Sequence, residues 1–126
     1  MKKTTHKQFL IFKKECERWI KVFGMLGFGY YYDHADVEGL GDGAIGSCTF
    51  PESYTERDFT ITLSENVEDS ITEENIRETA FHEVMECFLY RIRTFAYLRF
   101  INARQIDDEI HNIIMTLEKV VFNRGK

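Results

Sequence analysis

Phe59-Thr60-Ile61-Thr62-Leu63 alternates apolar and polar residues with a period of two, the pattern of a strand with one buried face. A few residues on, Ile71-Thr72-Glu73-Glu74-Asn75-Ile76 carries the marks of a helix start. Thr72 is placed to cap it, Glu73 and Glu74 put negative charge in the first turn, and Ile71 and Ile76 can close a hydrophobic staple. A strand followed this closely by a helix, with further strand signals on one side and helix signals on both, points to an α+β chain. The apolar stripe of the helix is read as Phe81, Val84, Phe88, Ile92 and Phe95, which leaves His82, Glu86 and Arg93 on a different face.

Upstream, the aromatic run from Phe28 to His34 reads as a strand, Gly39, Gly41 and Gly43 as a turn, and Ala44 to Phe50 as a second strand broken by Pro51-Glu52-Ser53. With Phe59 to Leu63 this gives a small sheet of about three strands, mostly antiparallel. Before the sheet, Thr5-His6-Lys7-Gln8 fits a capping box, and Phe9, Phe12, Cys16, Trp19, Ile20 and Phe23 recur at helical spacing up to Gly24, a residue suited to ending a helix. After it, Asn102-Ala103-Arg104-Gln105 opens a last helix, with Ile106, Ile110, Ile113, Ile114, Leu117 and Val121 as its buried stripe and His111 beside them. The predicted order is N-terminal helix, sheet, motif helix and C-terminal helix, in a single domain over residues 1–126.

Bulk properties narrow the classes. The chain has 126 residues, 44% of them hydrophobic, so it can bury a core. A net charge of -5 argues against nucleic acid, whose binding rests on neutralising phosphates. Arg91, Arg93, Arg99 and Arg104 form a local basic run, read as long side chains laid over apolar helix surface. No stretch is long enough to span a bilayer, and no signal peptide is recognisable. Three widely spaced cysteines (Cys16, Cys48 and Cys87) without a CxxC suit a reducing compartment, so a cytoplasmic location is expected.

The chemistry concentrates in Ala80-Phe81-His82-Glu83-Val84-Met85-Glu86-Cys87. His82 and Glu86, four apart on a helix, share one face at a separation of roughly 6 Å along the axis. His111, the histidine downstream, completes a candidate set of two imidazoles and one carboxylate, which suits a zinc ion that keeps its fourth place for water. Zinc lowers the pKa of that water toward neutrality, and Glu83, next to the first ligand, is the candidate general base. The plain alternative is a surface i,i+4 pair of His82 with Glu86, with His111 a satisfied histidine.

This motif resembles the HExxH helix of the zincin metallopeptidases, with glutamate at the second histidine position (HExxE) and a histidine on the later helix. The resemblance implies Zn2+ held by His82, Glu86 and His111, Glu83 acting on the metal-bound water, and a peptide or protein substrate. It further implies that the sheet's edge strand, for which Phe59 to Leu63 is the candidate, receives that substrate as an added strand. Tyr30, Tyr31, Tyr32, Tyr54 and His34 are candidates for stabilising an oxyanion. Two functions follow in competition: a small zinc-dependent peptidase, or a zincin-like binding or regulatory module without catalysis, with a structural metal or none. A di-metal carboxylate site drawing on Glu78, Glu86, Asp108 and His111 ranks last, because such sites draw on four helices and the reading above has three.

Overall fold

The computed structural model describes residues 2–37, 45–50, 58–97 and 102–122. The turn expected at Gly39, Gly41 and Gly43, the break at Pro51-Glu52-Ser53, Tyr54 and Arg99 lie outside the described residues. The elements run β1 (Lys2–Lys3), α1 (His6–Val22), β2 (Gly29–Ala35), β3 (Gly46–Thr49), β4 (Asp58–Ser64), β5 (Asn66–Val67), α2 (Glu73–Phe88), α3 (Tyr90–Tyr97) and α4 (Ala103–Phe122). The α+β class and the order helix, sheet, helices hold.

The helix starts foreseen at Thr5 and Thr72 form as capped termini. At α1, Gln8 N–H donates to Thr5 Oγ1 at 3.1 Å and Gln8 Oε1 accepts from the Thr5 N–H at 2.9 Å. At α2, Thr72 and Asn75 exchange the same pair of bonds, each at 3.1 Å. Thr72→Ala removes one acceptor from otherwise orphaned N–H groups, and a loss of about 1 kcal/mol is expected. A urea titration followed by far-UV circular dichroism measures it. Gly24 stands just past α1 at φ 67, the left-handed conformation that a side chain disfavours.

The three-stranded sheet has the order β2-β4-β3, so the strand foreseen at Phe59 to Leu63 forms but is the central one. β3 pairs antiparallel with β4, with Cys48 opposite Ile61. β2 pairs parallel with β4, with Tyr30 opposite Phe59 and Tyr32 opposite Ile61. The sheet is therefore mixed, where a mostly antiparallel one was expected. β2 and β3 do not form a hairpin with each other across the glycine-rich segment; they flank β4 from opposite sides. A second, two-stranded ladder pairs β1 with β5.

Phe59, Ile61 and Leu63 share one face of β4 and are fully buried. They join Phe12, Cys16 and Ile20 of α1 and Ile76, Ala80, Val84 and Cys87 of α2 in one core cluster. Gly46 lets β3 lie close against α2. A Cβ there would come within 2.9 Å of Thr79 Cγ2 and 3.1 Å of the Thr62 carbonyl oxygen. The helix read as continuous from Thr72 to Phe95 is interrupted at Leu89, whose φ of -90 and ψ of 2 end α2 one residue before α3 begins. α4 contributes no fully buried residue; its main neighbour is α3, and Val120 is its one side chain packed on the core cluster among the described residues.

Candidate functional site

The motif lies on α2, and the helix turns its residues to different environments. His82 is open to solvent, its side chain 71% exposed, and its Nε2 stands 3.6 Å from Glu86 Oε1. The i,i+4 pair read from the sequence is present. Glu86 is also bound from the other side, because Arg93 donates to Glu86 Oε2 at 2.5 Å. Arg93 belongs to α3, and its guanidinium reaches back across the interruption at Leu89 to the end of α2. The same guanidinium stacks over Phe50, 4.9 Å from the ring centroid. Glu86 thus holds one charged partner and one potential partner before any ion is considered.

Glu83 corrects the sequence reading. The expectation set it on the edge of the helix beside His82; instead it is only 6% exposed and belongs to the buried row Ile76, Ala80, Glu83, Val84 and Cys87. One residue along a helix is a turn of about 100°, enough to carry the side chain from the solvent face to the core. Its Cγ is 3.4 Å from where a Cβ on Gly46 would sit, which places the side chain at the junction of α2 and β3. Glu83 Oε2 has no hydrogen-bond partner. Burial raises the pKa of this carboxyl above the ordinary carboxylate value, His82 partly opposes the rise and Glu86 adds to it. The side chain therefore sits on the core side of α2, whereas His82 stands on its solvent face.

His111 is exposed on α4. Among the described residues, no group of three or more His, Cys, Asp and Glu side chains is placed to hold a metal ion. His82, Glu86 and His111 are all described, so they do not form a ligand set in this structure. The edge-strand expectation also changes: β4 is hydrogen-bonded on both sides and has no free edge for an added strand, so the edges of this sheet are β2 and β3.

Tyr30 and His34, two of the oxyanion candidates, have structural partners. Tyr30 Oη donates to the Met25 carbonyl at 2.7 Å, and burial raises the phenol pKa of both Tyr30 and Tyr32. His34 Nε2 lies 2.7 Å from Thr4 Oγ1, which itself donates to the Ser64 carbonyl at 2.6 Å, and the imidazole stacks on Phe9. Tyr31 is exposed on β2. A groove of about 390 Å³ lies between α1 and α2, lined by Glu15, Trp19, Glu74, Arg77, Glu78 and Phe81; none of His82, Glu83 and Glu86 lines it.

Two features escaped the sequence reading. The first is a thiol pair, with Cys48 Sγ 3.0 Å from Cys87 Sγ; the residues are 39 apart and on different elements, so no local pattern signals them. The second is the exposure of α4. Ile110, Ile114, Leu117 and Val121 were expected in the core and are exposed, Val121 by 69%. The stripe itself was legible, but its burial was inferred from apolarity alone. No helix of the described residues is long and apolar enough to cross a membrane. No family model matches the chain, and no curated protein and no solved structure does either.

Proposed function

We propose that the chain works as a non-catalytic association module, an α+β body that presents α4 for pairing with a second copy of itself. The observation that carries this reading is the exposed apolar seam of Ile110, Ile114, Leu117 and Val121. Their spacing of four, three and four residues is that of a coiled-coil seam. The neighbouring row, Ile106, Ile113 and Val120, is half-buried against the protein's own body. One apolar row is therefore used internally, and the adjacent one is left in water, where association would remove it.

The edge of the seam favours a second copy over an unrelated helix. His111 and Glu118 stand seven apart, two turns along the same edge. An antiparallel second α4 sets the His111 of each copy opposite the Glu118 of the other. A parallel pairing sets that edge against Ile113 and Val120 instead. The inward Glu83 and the Arg93 guanidinium on Glu86 support a role without hydrolysis.

Sedimentation equilibrium tests the reading. The wild-type chain is expected at twice its mass of 14.9 kDa, and the Ile114→Asp/Leu117→Asp double variant at the single mass with an unchanged far-UV spectrum. Both positions are exposed in the single chain, so the substitutions spare its fold. A wild type that stays monomeric up to millimolar concentration, or a double variant that pairs as well as the wild type, would overturn it.

A further inference from the structure

We infer that Cys48 and Cys87 are a reversible redox clamp between β3 and the last turn of α2, closed by thiol–disulfide exchange with a small-molecule disulfide. Cys48 Sγ and Cys87 Sγ stand 3.0 Å apart, about 1 Å beyond the length of a disulfide bond. The pair joins two elements already held together, because Gly46 on β3 packs directly on Thr79 and Glu83 of α2. Closing the bond needs a small approach of two sulfurs and no rearrangement of the chain. Both cysteines are free thiols in the structure.

The two thiols differ in access, and this fixes the order of events. Cys87 is buried, whereas Cys48 is only partly covered. The Cys48 thiolate attacks the external disulfide R′SSR′, forming a Cys48–SR′ bond as the R′S–SR′ bond breaks and one R′S⁻ leaves. Cys87 then attacks the Cys48 sulfur, forming the protein disulfide and expelling the second R′S⁻. The two protein thiol protons end on the two departing thiolates, so two protein thiols are oxidised and one external disulfide is reduced to two thiols. Cys16 is buried on α1, where its weak sulfur hydrogen bond runs to the Ala80 carbonyl at 3.9 Å, and it takes no part.

The clamp closes a loop of about 40 residues spanning β4 and most of α2, and the unfolded chain loses the freedom of that loop. It also fixes the end of α2 immediately before the interruption at Leu89, from which Arg93 reaches back to Glu86. Oxidation therefore stiffens the joint between the body and the helices that follow it.

Oxidised glutathione added to the reduced, folded wild-type protein tests the proposal, read by intact mass and peptide mapping. The expected result is loss of two hydrogens, one linked peptide pair containing Cys48 and Cys87, no retained glutathione, and a thermal midpoint raised by about 10 °C. Dithiothreitol should reverse all of it. Cys48→Ser, at the partly exposed position, should abolish the intramolecular bond, and the far-UV spectrum checks that this variant stays folded. A native protein that remains fully reduced, that carries a stable glutathione adduct on Cys48, or that forms the bond only in denaturant would overturn the clamp.

Discussion

Glu83→Gln and Glu83→Met are expected to raise the thermal stability of the protein near neutral pH, by about 1–3 kcal/mol, rather than to remove an activity. Glu83 is buried among core residues and its Oε2 has no partner, so at that oxygen the charged form loses hydration with no bond in its place. The fold therefore prefers the protonated acid, and burial raises the folded-state pKa above the unfolded value. A group shifted in that direction binds more protons in the folded state than in the unfolded one. Its contribution is fully present below the unfolded carboxyl pKa of about 4.3 and is lost as pH rises through the raised folded value. Urea midpoints measured from acid to neutral pH should fall with rising pH in the wild type and fall less in Glu83→Gln. Near the acid end of the window the two proteins should converge. A variant less stable than the wild type at neutral pH would show that the carboxylate has a partner in the fold.

The second large effect is expected at Phe59, where Phe59→Ala should cost about 3–5 kcal/mol. Phe59 is fully buried on the central strand and is surrounded by aromatic rings. Phe28, Tyr30 and Tyr90 lie at centroid distances of 5.2, 5.7 and 5.3 Å, and Phe50 meets it edge-on at 6.2 Å. β4 is held on both sides and cannot shift to fill the space left by the ring. A domain of this size has about 5–15 kcal/mol of stability in all, so this one residue controls a large share. Urea unfolding reads the change as a lower midpoint at an unchanged slope. A cost under about 1 kcal/mol would mean that the aromatic cluster does not form around it.

What the sequence revealed and what it hid divide along the range of the interactions involved. The cap at Thr5 and Gln8, the N-cap at Thr72 and the alternation of Phe59 to Leu63 are each encoded within a few residues, and each forms where it was read. The central position of β4 is not encoded locally. The same alternation serves an edge or a central strand, and the parallel pairing of β2 depends on where the chain between Ala35 and Asp58 carries β3. The buried face of α2 was misread by assigning Phe81 inward and Glu83 outward from polarity. Phe81 is 39% exposed, its ring packed edge-on against Trp19 at the surface, while Glu83 occupies a row otherwise made of apolar residues. The interruption at Leu89 has no glycine or proline to announce it.

The candidate metal set shows the same division. The pairing of His82 with Glu86 follows from helix geometry and is present at 3.6 Å. The third member was chosen because His111 follows on a later helix, and nothing local can say which way that helix packs. α4 lies beside α3 with Ile106, Ile113 and Val120 half-buried, and it leaves His111 exposed next to the exposed apolar seam.

An isotope-filtered NOE experiment on a mixture of 13C-labelled and unlabelled chains tests the self-association most directly. Ile110 and Val121 lie on one helix, about 16 Å apart along its axis, too far for a methyl–methyl NOE within a single α4. The antiparallel pair predicts filtered cross-peaks between the methyl groups of Ile110 and Val121, and between those of Ile114 and Leu117. A filtered spectrum without cross-peaks from any α4 methyl, recorded at millimolar concentration, would contradict it.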